Sequence, residues 1–329
     1  MGAVRIGVLG CADIARRRVL PALVAHPDFT VVAVASRHRE KAADFAQRFG
    51  AEPVVGYAEL LRRGDLDAVY VPLPPTLRDV WVPRALEAGL HVLTEKPLAT
   101  DRRAAARLVG MARARGRALL ENVMFVHHSQ HAVVRSLLLQ GAIGEVRSFS
   151  ATFTVPPRPA DDFRYRPELG GGCLADMGVY PVRAAQYFLD GPLTVVGATL
   201  RRGDGAPVEV AGDALLCTRQ GAGVHVTFGM AHAYRSSYEI LGSAGRICVE
   251  HAFTPPADHT PRIVIHRADG VEERVLAADD QVARTLDTFR RLIAEPTTGS
   301  SLLAASLTEV RLLEQIRLAA RWTTRPACG

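Results

Sequence analysis

Val4-Arg5-Ile6-Gly7-Val8-Leu9-Gly10-Cys11-Ala12-Asp13-Ile14-Ala15 is an apolar strand that runs through a glycine turn into a helix start. A Gly-x-Gly-x-x-Gly/Ala fingerprint in that context receives a pyrophosphate on the backbone N–H groups of the helix N-terminus. Gly10 supplies the tight turn, Ala12 replaces the second glycine and leaves less room for phosphates, and Ala15 is an accepted variant of the third. Read alone, the same residues also fit an ordinary strand-to-helix turn of an α/β protein. The rest of the chain has to decide.

Working outward, short apolar runs alternate with helical stretches as far as residue 122. Strands are expected at Val4–Leu9, Val31–Ser36, Ala68–Pro72, His91–Thr94 and Ala118–Glu121. Helices are expected near Asp13–His26, Arg39–Phe49, Leu77–Ala88 and Asp101–Arg115, the last opened by the capping residue Asp101. This is the rhythm of a doubly wound parallel sheet of Rossmann type. After Gly141-Ala-Ile-Gly144 strands follow one another: Val146–Val155, Thr194–Leu200, Ala214–Thr218, Val224–Phe228, Tyr238–Leu241, Arg246–Val249 and Arg262–His266. One helix interrupts them near Asp176–Phe188, and two close the chain near Gln281–Ala294 and Leu302–Arg321. The expected fold class is therefore α/β: a Rossmann domain over residues 1–122, then an α+β domain over 123–329 with a large, mostly antiparallel open sheet. The last helix is free to pack back on the first domain. Open sheets leave a broad face to bury, which argues for a homo-oligomer, dimer or tetramer.

The 329 residues carry a net charge of +6, but the arginines are spread along the chain with acidic residues between them, and no basic block suggests nucleic acid. Arg16-Arg17-Arg18 is the densest run and reads as a solvated helix face. No apolar run approaches membrane-spanning length and the N-terminus lacks a secretory pattern, so the expectation is a soluble, cytoplasmic protein. Cys11, Cys173, Cys217, Cys248 and Cys328 show no Cys-x-x-Cys or zinc spacing, and His127, His128 and His131 lack partners at ligand spacing. No metal and no disulfide is expected.

Among 40 basic residues only Lys41 and Lys96 are lysines. A lysine that survives such an arginine bias can be one that needs a compact ammonium whose pKa can shift. Lys41, on an expected surface helix, shows that lysine also occurs without such a role. Glu95-Lys96-Pro97 stands just past the carboxyl end of the His91–Thr94 strand, where open α/β sheets bind ligands. The second strand ends Ser36-Arg37-His38, with no carboxylate for a ribose 2′-hydroxyl, which favours NADP(H) over NAD. Ser36 can donate to a 2′-phosphate and Arg37 can pair with it or stack on the adenine; a solvated loop is the other reading. Farther on, Gly170-Gly-Gly172 leads into Asp176-Met-Gly178-Val-Tyr180, which puts a carboxylate and a phenol four residues apart on a helix. A carbonyl accepting hydride needs a proton donor, and a tyrosine beside an ammonium can be one.

These residues together resemble the family of glucose-fructose oxidoreductase, inositol dehydrogenase and their relatives. The resemblance rests on Gly7-Val-Leu-Gly10, on Ala85-Leu-Glu-Ala-Gly-Leu-His91 to Pro97, on Gly141 to Val146, on Gly170 to Tyr180 and on Gly242-Ser-Ala-Gly245. Gly10 to Arg18, Val71-Pro-Leu-Pro74 and Phe125-Val-His-His128 look most like the nucleotide-sugar 3-ketoreductases of deoxysugar biosynthesis. The resemblance implies NADP(H) held by Gly10, Cys11, Ala12, Asp13, Ile14, Ser36, Arg37, Pro72, Leu73, Glu95, Lys96 and Pro97. It implies Lys96 as the active-site lysine, Asp176 as a substrate-orienting carboxylate and Tyr180 as the general acid where other members carry histidine. A dTDP-linked sugar is the implied substrate, reduced at C3. Arg164 and Tyr165, in a Pro-rich connection, are candidates for its diphosphate or sugar, with a solvated loop as the alternative. Many members have Asn and His where this chain has Pro75 and Arg78, and neither takes a family role. The rival readings are an NADP-dependent dehydrogenase of free sugars or trans-diols and a non-enzymatic NADP(H)-binding regulator.

Overall fold

The computed structural model describes residues 2–203 and 205–324; Cys328 lies outside them. The chain divides into two compact units, residues 1–122 with Val282–Leu307, and residues 123–281 with 308–329. Among the described residues no helix is long and apolar enough to cross a membrane.

The first unit runs β1 (Val4–Leu9), α1 (Leu20–Ala25), β2 (Phe29–Ser36), α2 (Arg39–Phe49), β3 (Glu52–Val55), α3 (Tyr57–Leu61), β4 (Ala68–Val71), α4 (Pro75–Glu87), β5 (His91–Thr94), α5 (Arg102–Ala114) and β6 (Leu119–Glu121). Its six strands are parallel in the order β3-β2-β1-β4-β5-β6. The inner strands β4 and β5 are buried at every position, as a sheet covered on both faces requires. The order reverses between β1 and β4, and the crevice outside the carboxyl ends of those strands is the ligand position of such sheets. Asp101 caps α5 by accepting 2.8 Å hydrogen bonds from the Arg103 and Ala104 N–H groups. β3, with Pro53 and mostly exposed side chains, is an edge strand whose polarity hid it from the periodicity reading.

The second unit runs α6 (Ser129–Leu139), β7 (Val146–Thr154), α7 (Val179–Phe188), β8 (Leu193–Arg202), β9 (Glu209–Thr218), β10 (Gly223–Gly229), β11 (Arg235–Gly242), β12 (Gly245–Glu250), β13 (Arg262–Arg267) and β14 (Gly270–Val275). α8 (Gln281–Ala294) lies in the first unit beyond Gln281, α9 (Ser300–Ala319) is divided between the two units, and β15 (Ala320–Thr324) ends the described chain. The nine strands lie in the order β14-β13-β12-β11-β7-β10-β9-β8-β15. All pairs are antiparallel except β10 with β7 and β15 with β8. Strict alternation buries Phe149, Phe153, Val224, Phe228, Tyr238, Ile240, Ile247 and Ile265 on the face that receives α7. Each such side chain contributes roughly 1.5–3 kcal/mol. Two sequence expectations need correction. The closing helix stops at Ala319, not Arg321, because Trp322-Thr323-Thr324 favour the sheet and pair with Leu200, Arg201 and Arg202. The stretch before β7 holds α6, started by His128, whose Nδ1 accepts from the Gln130 N–H.

Candidate active site

In the first unit the strand ends gather four segments. Gly10 follows β1 with φ at 122°, and a Cβ there would stand 2.8 Å from Leu73 Cδ2. Side-chain-bearing residues rarely adopt that positive φ, and a Cβ would press on the Leu73 side chain from the β4 loop, so the turn calls for glycine. Cys11 and Ala12 cross the mouth, and helix begins at Asp13, with a π turn over Ala15–Val19 ahead of α1. π turns recur at functional sites because they re-aim the helix start. Asp13 is exposed and pairs with Arg16 at 3.0 Å and Arg17 at 2.6 Å. Burial pushes its carboxyl up, but the hydrogen bonds from both arginines outweigh this and hold it below the ordinary carboxylate value.

A cleft of about 410 Å³ opens beside this turn, lined by Cys11, Asp13, Arg16, Lys41 and Phe45 among others. Burial pushes the Cys11 thiol up to about 11, against a hydrogen bond from Ser36 and the Lys41 ammonium. Ser36 is buried and accepts from the His38 N–H at 3.2 Å. Burial pushes the Tyr57 phenol up, against the nearby Arg37 guanidinium, which favours the phenolate. Arg16 and Lys41 line this opening together with the carboxylates of Asp13, Glu40 and Asp44, and Ser36 and Arg37 stand at the end of β2. Lys41 is exposed on α2, as the sequence reading expects, at the edge of the cleft, and Tyr57 is brought in by α3. The glycine turn at Gly10 and the helix start at Asp13 fit a dinucleotide phosphate.

Glu95 leaves β5 buried, and its Oε1 accepts from the Tyr70 hydroxyl and from Asn122 Nδ2, each at 2.7 Å. Burial and the Glu95 charge drive the Tyr70 phenol well above its ordinary value, so it stays a donor. The carboxylate anchors the turn to β4 and β6, and the next residue is Lys96, half-buried, before Pro97. Arg78, the residue outside the family pattern, is 3% exposed.

The second unit supplies the other candidates. Gly172, φ at 118°, packs against Glu209, where a Cβ would collide with the carboxylate. Glu209 accepts from the Leu174 N–H at 3.3 Å and from Arg317 at 2.8 Å, which fixes the start of a second π turn, Leu174–Gly178, leading into α7. Asp176, on that turn, is ion-paired with Arg164 Nε, and Arg164 also bonds Asp162 at 3.1 Å. Arg164 is therefore a partner of Asp176 within the chain, and its loop is ordered by that pair. Tyr165 holds the same loop, its hydroxyl accepting from the Arg158 N–H at 3.1 Å. Tyr180 begins α7 with its ring 4.5 Å from Phe153, 5.8 Å from Phe253 and 6.1 Å from Phe125, an apolar seat that fixes the phenol's direction. His131, of the histidine cluster, is fully buried between the Tyr238 hydroxyl at 3.1 Å and the Ala252 carbonyl at 2.9 Å. Among the described residues no three His, Cys, Asp or Glu side chains are grouped to hold a metal ion.

Residues 4–123 match the model of the oxidoreductase family with an NAD-binding Rossmann fold, and residues 131–248 match the GFO/IDH/MocA C-terminal domain. The chain is 51% identical to the dTDP-3,4-didehydro-2,6-dideoxy-alpha-D-glucose 3-reductase of Actinomadura kijaniata, over 97% of this chain and 96% of that one. It is similar to a solved 3-ketoreductase of the same organism, in complex with NADP and TDP-benzene, with a TM-score of 0.97 at 50% identity, over 99% of this chain and 100% of the other. It is 30% identical to a D-xylose 1-dehydrogenase (NADP(+)) of Haloferax volcanii, over 94% of this chain and 95% of that one.

Proposed function

Since the chain belongs to the GFO/IDH/MocA oxidoreductase family, we propose that it is an NADPH-dependent reductase of the C3 carbonyl of a dTDP-linked 3,4-diketo-2,6-dideoxyhexose. The observation that carries this reading is the 51% identity with a 3-reductase of that substrate along nearly the whole of both chains. Gly10 to Ile14 hold the pyrophosphate on their backbone, with Pro72, Leu73, Glu95 and Pro97 lining the cofactor's other side. Ser36, Arg37 and Lys41 take the 2′-phosphate. NADPH supplies the hydride when bound. Lys96 donates a hydrogen bond to the C3 oxygen and stabilises the charge that develops there, and Tyr180 delivers the proton that completes the alcohol. Asp176, oriented by Arg164, accepts from a sugar hydroxyl, and Tyr165 shapes the loop against the sugar.

The test follows NADPH absorbance with the freshly generated thymidine-diphosphate diketo sugar, beside NADP+ reduction with xylose, glucose and inositol. Consumption of NADPH with the nucleotide sugar alone is the expected result. Silence there, with NADP+ reduced by xylose, transfers the protein to the dehydrogenase reading, which the 30% likeness to the xylose enzyme supports.

The outer face of the nine-stranded sheet is the proposed seat of a second copy. Charges on it pair within the chain, Glu239 with Arg246 and Glu273 with Arg262, and Leu215, Leu241, Val271 and Val275 stand exposed. Two such faces meet without like-charge repulsion. A monomer in sedimentation at micromolar concentration overturns this assignment. The cytoplasm, where NADPH is kept reduced, is the proposed compartment.

A further inference from the structure

The β4 loop and the Lys96 turn are built largely from residues that cannot hold each other. The last backbone link between them is the Glu95 N–H to the Val71 carbonyl, at 3.4 Å. Beyond it the chain reads Pro72-Leu73-Pro74-Pro75 on one side and Lys96-Pro97 on the other. Four prolines remove four N–H donors, while every residue still presents a carbonyl that needs a partner when buried. Arg78, on the first turn of α4, supplies the missing donors. Its Nη1 donates to the Leu73 carbonyl at 2.6 Å and its Nη2 to the Pro97 carbonyl at 2.8 Å. A guanidinium this deep is costly unless its donors are met, and here two of them are spent on carbonyls from two different loops. The planar fork fixes the distance and angle between those loops in a way that a flexible ammonium cannot.

We infer that Arg78 is a positioning residue for Lys96: by clamping the Pro97 carbonyl to the β4 loop it sets the turn from which the Lys96 ammonium reaches the substrate carbonyl. The inference rests on the role proposed above for Lys96. A catalytic group displaced by about 1 Å loses on the order of 100-fold in rate, so Arg78→Met is expected to lower kcat about 100-fold at saturating NADPH. Arg78→Lys should lose nearly as much, since a flexible ammonium lacks the rigid two-nitrogen fork that sets both carbonyls at once.

The experiment is a double-mutant cycle with Lys96→Ala, measuring kcat on the thymidine-diphosphate diketo sugar, with NADPH fluorescence to confirm that each variant is folded. If Arg78 acts through Lys96, replacing it in the Lys96→Ala background costs less than about threefold, because the group it positions is already gone. An Arg78 penalty that stays near 100-fold in that background overturns the inference and leaves Lys96 where it was. Wild-type kcat in Lys96→Ala alone overturns the Lys96 reading and this inference with it. Should Arg78→Met fail to fold, Arg78→Lys completes the same cycle.

Discussion

Two helix starts in this chain share one design and differ in what surrounds them. At Gly10 a left-handed glycine leads to a π turn at Ala15–Val19; at Gly172 another leads to a π turn at Leu174–Gly178. Around the first, the charges are exposed and local: Asp13 answers Arg16 and Arg17 within one turn, all about half exposed. Around the second the partners are distant in sequence and each pair has at least one largely shielded member. Arg164 meets Asp176 across twelve residues, Arg317 meets Glu209 across 108, and Arg183 of α7 meets Glu309 of α9 with both side chains nearly inaccessible. The first start is a lip that must admit a charged cofactor from solvent, so its backbone matters and its side chains are replaceable. In the proposed reading the second is a mount that holds the Tyr180 phenol and the Asp176 carboxylate still before the substrate arrives, which is what electrostatic preorganisation requires.

The comparison breaks first at Tyr180. If the mount exists to aim that phenol, Tyr180→Phe keeps the aromatic seat and loses the proton donor. Its kcat should fall about 10²- to 10⁴-fold with NADPH affinity unchanged. A variant at wild-type kcat would move the proton transfer to another group. Next comes the ion pair under α7. Arg183→Met removes the cation paired with the fully buried Glu309 carboxylate, and the expected loss is about 3–5 kcal/mol in urea unfolding. A loss below about 1 kcal/mol would mean the mount does not depend on shielded charge.

The histidine beneath the same unit gives a smaller, pH-dependent effect. Burial, then the neighbouring His128 charge, lowers His131 from 6.5 to about 3 against the pull of the Ala252 carbonyl. Its folded pKa lies below the unfolded one, so the unfolded chain binds the extra proton. The stability this contributes is complete above about pH 6.5 and drains as pH falls towards 3. At pH 5 the loss is about 2 kcal/mol. His131→Gln should therefore flatten the change in urea midpoint between pH 7 and pH 5 relative to the wild type. Equal slopes in the two proteins would show that His131 is protonated without cost.

Much of the first start was readable because its logic is local: strand, glycine and helix are contiguous, and Glu95-Lys96-Pro97 follows its strand directly. The mount was readable only in part. The Gly-Gly-Gly run and the Asp176 to Tyr180 spacing are contiguous, but Glu209, Arg317 and the Phe153 and Phe253 rings arrive from other strands and helices, and no spacing rule links them. Arg164 read as a loop cation free for a substrate, whereas its partner is Asp176. Lys41 reads as a surface lysine and is exposed on α2, and only the fold brings it beside Cys11 at the cleft. The edge strands β3 and β14 escaped for a common reason: a strand at a sheet margin buries too little to show alternation. Arg78 was visible as a departure from a pattern, and only the two carbonyls it meets give that departure a purpose.

The smallest effect is expected at the lip, and it is the sharpest test of the contrast. Asp13→Ala removes the carboxylate that two arginines share, with every group about half in water. Such pairs contribute little, so stability should change by less than about 1 kcal/mol. The same substitution takes a negative charge from the mouth where phosphates enter and releases Arg16 and Arg17, so NADPH should bind up to about threefold more tightly in low salt. That gain should vanish near 0.5 M salt as screening shortens the reach of the charge to a few ångströms. If NADPH binding instead weakens tenfold, the Asp13 side chain holds the cofactor directly, and the lip is as dependent on its side chains as the mount.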